Sequence, residues 1–163
     1  MTTLPPDFEH DAVLEAAVAA ADVARSVVLP FFRRGMHADD KSDASPVTVA
    51  DRTAERAIRA VLSERLPGFG LMGEEFGLEG AESPYRWVID PIDGTRAFIT
   101  GRPTFGTLIA LLHNDVPLLG LIDQPVTGER WIGLRGAPTR YLSTLPGTPA
   151  TRACADVAAA ELS

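Results

Sequence analysis

The residues best suited to chemistry lie in one run, Trp87-Val88-Ile89-Asp90-Pro91-Ile92-Asp93-Gly94-Thr95. An apolar strand pattern leads into two carboxylates three positions apart, then into Gly-Thr where a turn or helix begins. Carboxylates at a strand end can bridge divalent cations, and the backbone N–H groups of Gly94, Thr95 and Arg96 can cradle a phosphate. Pro91 stiffens the segment, and Gly94 permits close approach of the backbone. The same residues also suit an Asp-rich turn relieved by glycine. A second acidic element, Gly73-Glu74-Glu75, follows the short apolar run Phe69–Met72 at the end of another expected strand. On its own that pair reads as a solvated turn. Together, the two acidic elements and the Gly-Thr turn supply the parts of two-metal phosphoester hydrolysis, in which ions activate water and neutralise the leaving oxygen.

Other metals and partners are excluded by composition. Three scattered histidines (His10, His37, His113) and one cysteine, Cys154, rule out a zinc site of ordinary spacing. A metal here is expected to be held by carboxylates and to be a hard ion such as Mg2+. The net charge of −7 argues against a nucleic-acid surface or a basic membrane patch. No apolar run approaches a bilayer-spanning length and no secretory leader is read, so a reducing cytoplasm is the expected compartment. Cys154 is read as a small core residue, and Trp87 and Trp131 as core or sheet-face residues.

Two helices and then a series of strands must position these groups. Leu14, Ala17, Val18, Ala21, Ala24, Val28 and Phe31 recur at helical spacing, with Pro30 kinking or ending the helix and Gly35 as a natural stop. A polar loop over His37–Pro46 follows. The second helix carries Ala50, Ala54, Ala57, Ile58, Val61 and Leu62 on one face, with Thr48 as candidate N-cap, Asp51 three residues on, and Pro67-Gly68 as terminator. After Gly68, short apolar runs bounded by turns are expected as strands at Arg86–Ile89, Thr104–His113, Leu118–Ile122, Arg130–Leu134 and Thr139–Leu142. Asn114-Asp115 and Thr127-Gly128 suit hairpin turns between them. Ala153–Leu162 has the pattern of a further helix. Helices first and strands afterwards predict an α+β architecture, two leading helices packed on a mainly antiparallel sheet. The 163 residues, 45% hydrophobic, are enough for one domain with its own core.

Gly73-Glu74-Glu75 followed by the block from Trp87 to Thr95 resembles the inositol monophosphatase family, Mg2+-dependent and lithium-sensitive phosphomonoesterases. The resemblance extends over essentially the whole chain. The segment from Arg96 to Leu112 resembles most the histidinol-phosphatase branch, whereas inositol phosphatases more often continue with T-N-F. The resemblance implies the N-terminal half of a layered α/β/α/β/α fold. It also implies that Glu74, Asp90 and the Ile92 carbonyl hold a first Mg2+, that Asp90 bridges to a second also held by Asp93, and that a third, weaker ion sits near Glu74. Gly94 and Thr95 would bind the phosphate, and the Thr95 hydroxyl would position the attacking water. Asp51 resembles the carboxylate that pairs with this threonine to activate the nucleophile. Its place opposite Thr48 also suits helix capping, and the two roles are compatible. Lys41, the single lysine against fourteen arginines, lies in a loop matching the family's mobile metal-binding loop; an inert surface lysine is the other reading.

The implied activity is Mg2+-dependent phosphomonoester hydrolysis, with histidinol phosphate of histidine biosynthesis as the expected substrate. Inositol 1-phosphate or a related sugar or nucleotide phosphate is the alternative. A homodimer is the family's usual state. Full members are longer and carry a later W-D-x-A-A-G element whose Asp completes the second metal site. Ala155-Asp156-Val157-Ala158-Ala159-Ala160 echoes it without the Trp or the final Gly. Residues 1–163 are therefore expected to form an N-terminal domain lacking the C-terminal α/β domain, and an inactive metal-binding or dimerising module is a further alternative. A haloacid-dehalogenase-type phosphatase needs D-x-D and a later lysine, neither of which is present. An EF-hand loop fails because position 92 is Ile and no Glu closes a twelve-residue loop.

Overall fold

Small side chains set the packing of the first helix. Ala16, Ala17, Ala20, Ala21 and Ala24 are wholly buried, so the helix backbone can approach its neighbours closely. A computed structural model describes residues 9–34, 46–144 and 151–153. In it α1 spans His10–Val28, and Pro30 ends it by diverting the chain into a 3-10 turn, Leu29–Phe31. Helix α2 spans Pro46–Arg65 and packs along α1. Its start differs from the sequence expectation. Pro46 opens the helix, where a missing N–H costs nothing. Thr48 is therefore inside the first turn and is not the N-cap, and Asp51 is the sixth helical residue, beyond the reach of a capping box.

Among the described residues, eight strands form one sheet: β1 Gly70–Gly73, β2 Gly77–Glu79, β3 Tyr85–Asp93, β4 Gly106–His113, β5 Val116–Gln124, β6 Glu129–Leu134, β7 Arg140–Ser143 and β8 Thr151–Ala153. A short helix, α3, covers Thr95–Ile99. The spatial order is β2-β1-β3-β4-β5-β6-β7-β8. Every pairing is antiparallel except β1 with β3, which run parallel. The α+β expectation of two leading helices on a mainly antiparallel sheet holds. The strand β2 was not expected, and Ala153 ends a strand rather than starting a helix. The rest of the expected C-terminal helix lies outside the described residues. Asn114 and Asp115 both take positive φ, 48° and 62°, as a two-residue hairpin turn matching strand twist requires.

The two-residue period of the strands divides the sheet into faces. Trp87 and Ile89 of β3, Ile109 and Leu111 of β4, and Leu119 and Leu121 of β5 join Ile58 and Leu62 of α2 and the alanines of α1 in the main core. Burying each large apolar side chain there contributes about 1.5–3 kcal/mol. On α1, Arg25 grips Asp123 of β5 through Nε and Nη2, at 3.1 and 2.6 Å. Arg130 of β6 donates to the same wholly buried carboxylate at 2.8 Å and to Asp22 of α1 at 2.8 Å. A second, smaller core gathers Val28, Ala50, Ala54, Ile92, Phe98 and Phe105, with Phe32 packed against the two other rings. This cluster supports the segment that carries Asp93, Gly94 and Thr95.

Candidate functional site

Strand pairing brings the two acidic elements side by side. In the parallel pair of β1 and β3, Gly73 lies opposite Ile89. The next residues along, Glu74 and Asp90, therefore emerge at the same end of the sheet. Further along β3 the register against β4 shifts between Asp90, opposite Leu108, and Asp93, opposite Gly106. Three steps on β3 span two on β4, so the Pro91-Ile92 segment is a bulge. Its backbone is not left wanting: the buried Thr107 donates its hydroxyl to the Pro91 carbonyl at 2.8 Å. The Ile92 side chain is buried in the second core, and its carbonyl accepts the Thr95 hydroxyl at 3.3 Å. A carbonyl oxygen carries two lone pairs and can accept from more than one partner.

Gly94 turns the chain out of the bulge. Its φ of 89° and ψ of 41° are left-handed, and a Cβ there would lie 3.2 Å from the Thr104 carbonyl. Glycine is needed on both grounds. The Gly94 carbonyl accepts from Ala97 at 2.8 Å and Phe98 at 3.1 Å, which starts α3. Helix geometry leaves the N–H groups of the first turn, at Thr95 and Arg96, without an intrahelical carbonyl.

Asp51 enters from α2. It is half-buried, and its pKa is pushed from 3.8 to about 7, first by burial and then by the charges of Glu75, Asp90, Glu74 and Glu55. Burial also raises the Asp90 carboxyl, with Asp93, Glu74 and Glu55 adding to the rise, against a hydrogen bond from the Ile92 backbone. Asp51, Glu74, Glu75, Asp90 and Asp93 thus share one negative field. Among the described residues none of the five has an ion-pair partner within 4.0 Å. The donors Glu74, Asp90, Asp93 and the Ile92 carbonyl are hard oxygens of the kind Mg2+ selects. They supply the chemistry of such a site without forming a closed cage: no three His, Cys, Asp or Glu side chains among the described residues are grouped to hold one ion. Lys41 and Cys154 lie outside the described residues.

Residues 9–161 match the profile of the inositol monophosphatase family. The chain belongs to this family. It is 48% identical over 136 residues to the bifunctional phosphatase IMPL2 of Arabidopsis thaliana, covering 82% of this chain and 39% of that protein. It is 40% identical over 130 residues to a histidinol-phosphatase of Mycobacterium tuberculosis, covering 79% and 50%. Among solved structures, an inositol monophosphatase from Zymomonas mobilis superposes with a TM-score of 0.73 at 46% identity, covering 82% of this chain and 51% of that one. The chain spans about half the length, or less, of the curated relatives it matches. No helix among the described residues of this family member is long and apolar enough to cross a membrane.

Two site residues were missing from the sequence reading. Thr107, which ties down the bulge, looks in sequence like any β-branched strand residue. Glu55 is wholly buried one helical turn after Asp51, where Oε1 accepts Arg59 Nε and Oε2 accepts the Glu75 backbone N–H, both at 2.8 Å. The available signal was an ionisable residue adjoining the Ala54–Ile58–Leu62 stripe with an arginine four positions on.

Proposed function

We propose that this chain carries the N-terminal part of the catalytic centre of a Mg2+-dependent phosphomonoester hydrolase, with histidinol phosphate as its substrate. The observation that carries the reading is the shared field of Asp51, Glu74, Asp90 and Asp93 around the left-handed turn at Gly94. On this reading Glu74, Asp90, Asp93 and the Ile92 carbonyl hold Mg2+. When bound, the ions lower the pKa of the attacking water and neutralise the oxygen that leaves. The chain's own groups do the rest. Backbone N–H groups of Gly94 and Thr95 hold the phosphate. The Thr95 hydroxyl orients the water, and Asp51 receives its proton. Without the ions, burial and then four neighbouring carboxylates raise the Asp51 pKa to about 7; bound Mg2+ would offset part of that rise.

The substrate assignment rests on the segment from Arg96 to Leu112 and on similarity to proteins named as histidinol-phosphatases; inositol 1-phosphate is the alternative. Residues 1–163 act on this reading as the N-terminal inositol-monophosphatase-like domain, and the remaining metal ligand comes from the region corresponding to the relatives' other half. A second reading, a module that binds Mg2+ with little turnover, is favoured by the lack of a grouped three-ligand cluster among the described residues. Calorimetric titration with Mg2+, together with phosphate release from histidinol phosphate and inositol 1-phosphate over the same Mg2+ range, tests both. Expected are Mg2+ binding, weak release that favours histidinol phosphate, and loss of both on Asp93→Asn with the fold intact. Absence of Mg2+ binding, or activity unchanged in Asp93→Asn, overturns the site. Turnover like that of a full-length enzyme, with an ordinary Mg2+ optimum, overturns the need for a further ligand.

A further inference from the structure

Helix α2 holds the Gly73-Glu74-Glu75 turn with a buried charge. Glu55 has no solvent exposure, yet sits close enough to Asp51 and Asp90 to disfavour their ionised forms. An apolar side chain of similar volume would fill the space without that repulsion, and buried ion pairs seldom stabilise more than apolar packing does. What an apolar side chain cannot do is accept the Glu75 N–H, which Glu55 Oε2 does at 2.8 Å. The other oxygen is fixed by Arg59 Nε. Arg59 in turn donates through Nη2 to the Gly77 carbonyl at 2.5 Å, and lies 3.4 Å from the Glu79 carboxylate. The pair therefore touches the turn at its middle and just beyond it. A third grip comes from Phe76, whose ring is flanked by the guanidiniums of Arg52, Arg56 and Arg59 at 5.1, 5.1 and 5.9 Å.

Gly73 completes the fit. A Cβ at that position would collide with the Glu55 carboxylate, so glycine is required for the carboxylate to reach under the strand end. Glu55 is one helical turn from Asp51, so the rigid α2 fixes both. We propose that Glu55, oriented by Arg59, is a positioning residue that sets the place of Glu74 relative to Asp51 by holding the Glu75 backbone. The proposal deepens the Mg2+ reading above and rests on it for the role of Glu74.

The test uses the whole chain with Mg2+ itself as the probe. Glu55→Gln keeps the shape but gives up one acceptor oxygen, so Arg59 and the Glu75 N–H compete for the other. Expected are Mg2+ binding weakened ten- to hundredfold, the range found when groups behind metal ligands are lost, and faster amide exchange at Glu75 with β3 and β4 still protected. Unchanged exchange at Glu75, or Mg2+ affinity within twofold of the parent, overturns the proposal. If the parent chain binds no Mg2+, the Mg2+ reading of the site fails, whereas the exchange rate at Glu75 still decides whether Glu55 holds the turn. Should Glu55→Gln not fold, Gly73→Ala and the double variant Gly73→Ala/Glu55→Ala replace it. The double variant removes the collision but leaves buried Arg59 without its partner, so it is expected to melt no higher than Gly73→Ala alone and to keep a low Mg2+ affinity. Recovery of both to the parent values makes Glu55 a space-filler only and overturns the proposal.

Discussion

Asp51→Asn is expected to stabilise the metal-free chain above neutral pH and to do close to nothing at pH 4. The Asp51 carboxyl has its pKa raised from 3.8 to about 7, chiefly by burial and then by neighbouring carboxylates. Between those two values the folded chain binds a proton that the unfolded chain has released. The stability this contributes is fully present below the unfolded pKa and is lost as pH rises through the folded one. At about 1.4 kcal/mol per pH unit, the displacement corresponds to about 4 kcal/mol. The carboxyl is only half-buried, and solvent screening reduces the figure to about 2 kcal/mol. Asparagine has nearly the shape of the protonated acid and never ionises. Relative to the parent chain, the variant should therefore gain about 2 kcal/mol at pH 8, about two thirds of that near pH 6, and close to nothing at pH 4. Urea denaturation at these pH values in the presence of a chelator measures the difference directly. A gain that does not change with pH, or a loss at pH 8, would refute the claim that Asp51 sits in an uncompensated negative field.

Three further predictions concern the same framework. Adding Mg2+ is expected to raise the melting temperature more at pH 8 than at pH 5, because the ion competes with protons for the raised carboxyl of Asp90 and its charge opposes protonation of nearby Asp51; equal shifts at both pH values would contradict this, and differential scanning fluorimetry suffices to measure them. Asp123→Ala should cost about 3 kcal/mol or more in a urea melt, since it strands Arg130 and half-buried Arg25 without their shared partner; a cost under about 1 kcal/mol would show that this network is not a fastening of α1 to the sheet. Gly94→Ala should cost about 1–2 kcal/mol from its left-handed φ alone, with the approach to the Thr104 carbonyl adding to it; an unchanged midpoint would mean that the turn relaxes freely.

The legible parts of the molecule are those whose side chains announce their own partners. Ala17, Ala21 and Ala24 at helical spacing mark the packed face of α1, and the strand runs from Thr104 to Leu142 fall within a residue or two of β4 to β7, whereas β3 continues four residues past the expected end at Ile89, through the bulge to Asp93. Asn114-Asp115 states its turn type in two letters. Thr48 followed by Asp51 imitates a cap in sequence, whereas Pro46, a breaker anywhere but the first turn, is the residue that opens α2. Strand β2 has three exposed residues, so no buried face gives it a pattern to recognise.

The candidate site divides in the same way. Its acidic residues are visible because carboxylates at strand ends are chemically conspicuous. The groups that hold them are not, because each acts on a backbone atom. Thr107 serves the Pro91 carbonyl and Glu55 the Glu75 N–H, and every residue but proline offers the same main-chain donor and acceptor. Side-chain identity at positions 91 and 75 therefore says nothing about who will bind there. The bulged antiparallel pairing of β3 with β4 brings Thr107 to the Pro91 carbonyl, and helix α2, packed against the sheet, brings Glu55 to the Glu75 N–H. Loss of a visible carboxylate should remove a function while leaving the fold, as Asp93→Asn tests. Loss of a concealed support should move a visible carboxylate without removing it, which is the distinction that amide exchange at Glu75 resolves and an activity assay alone cannot.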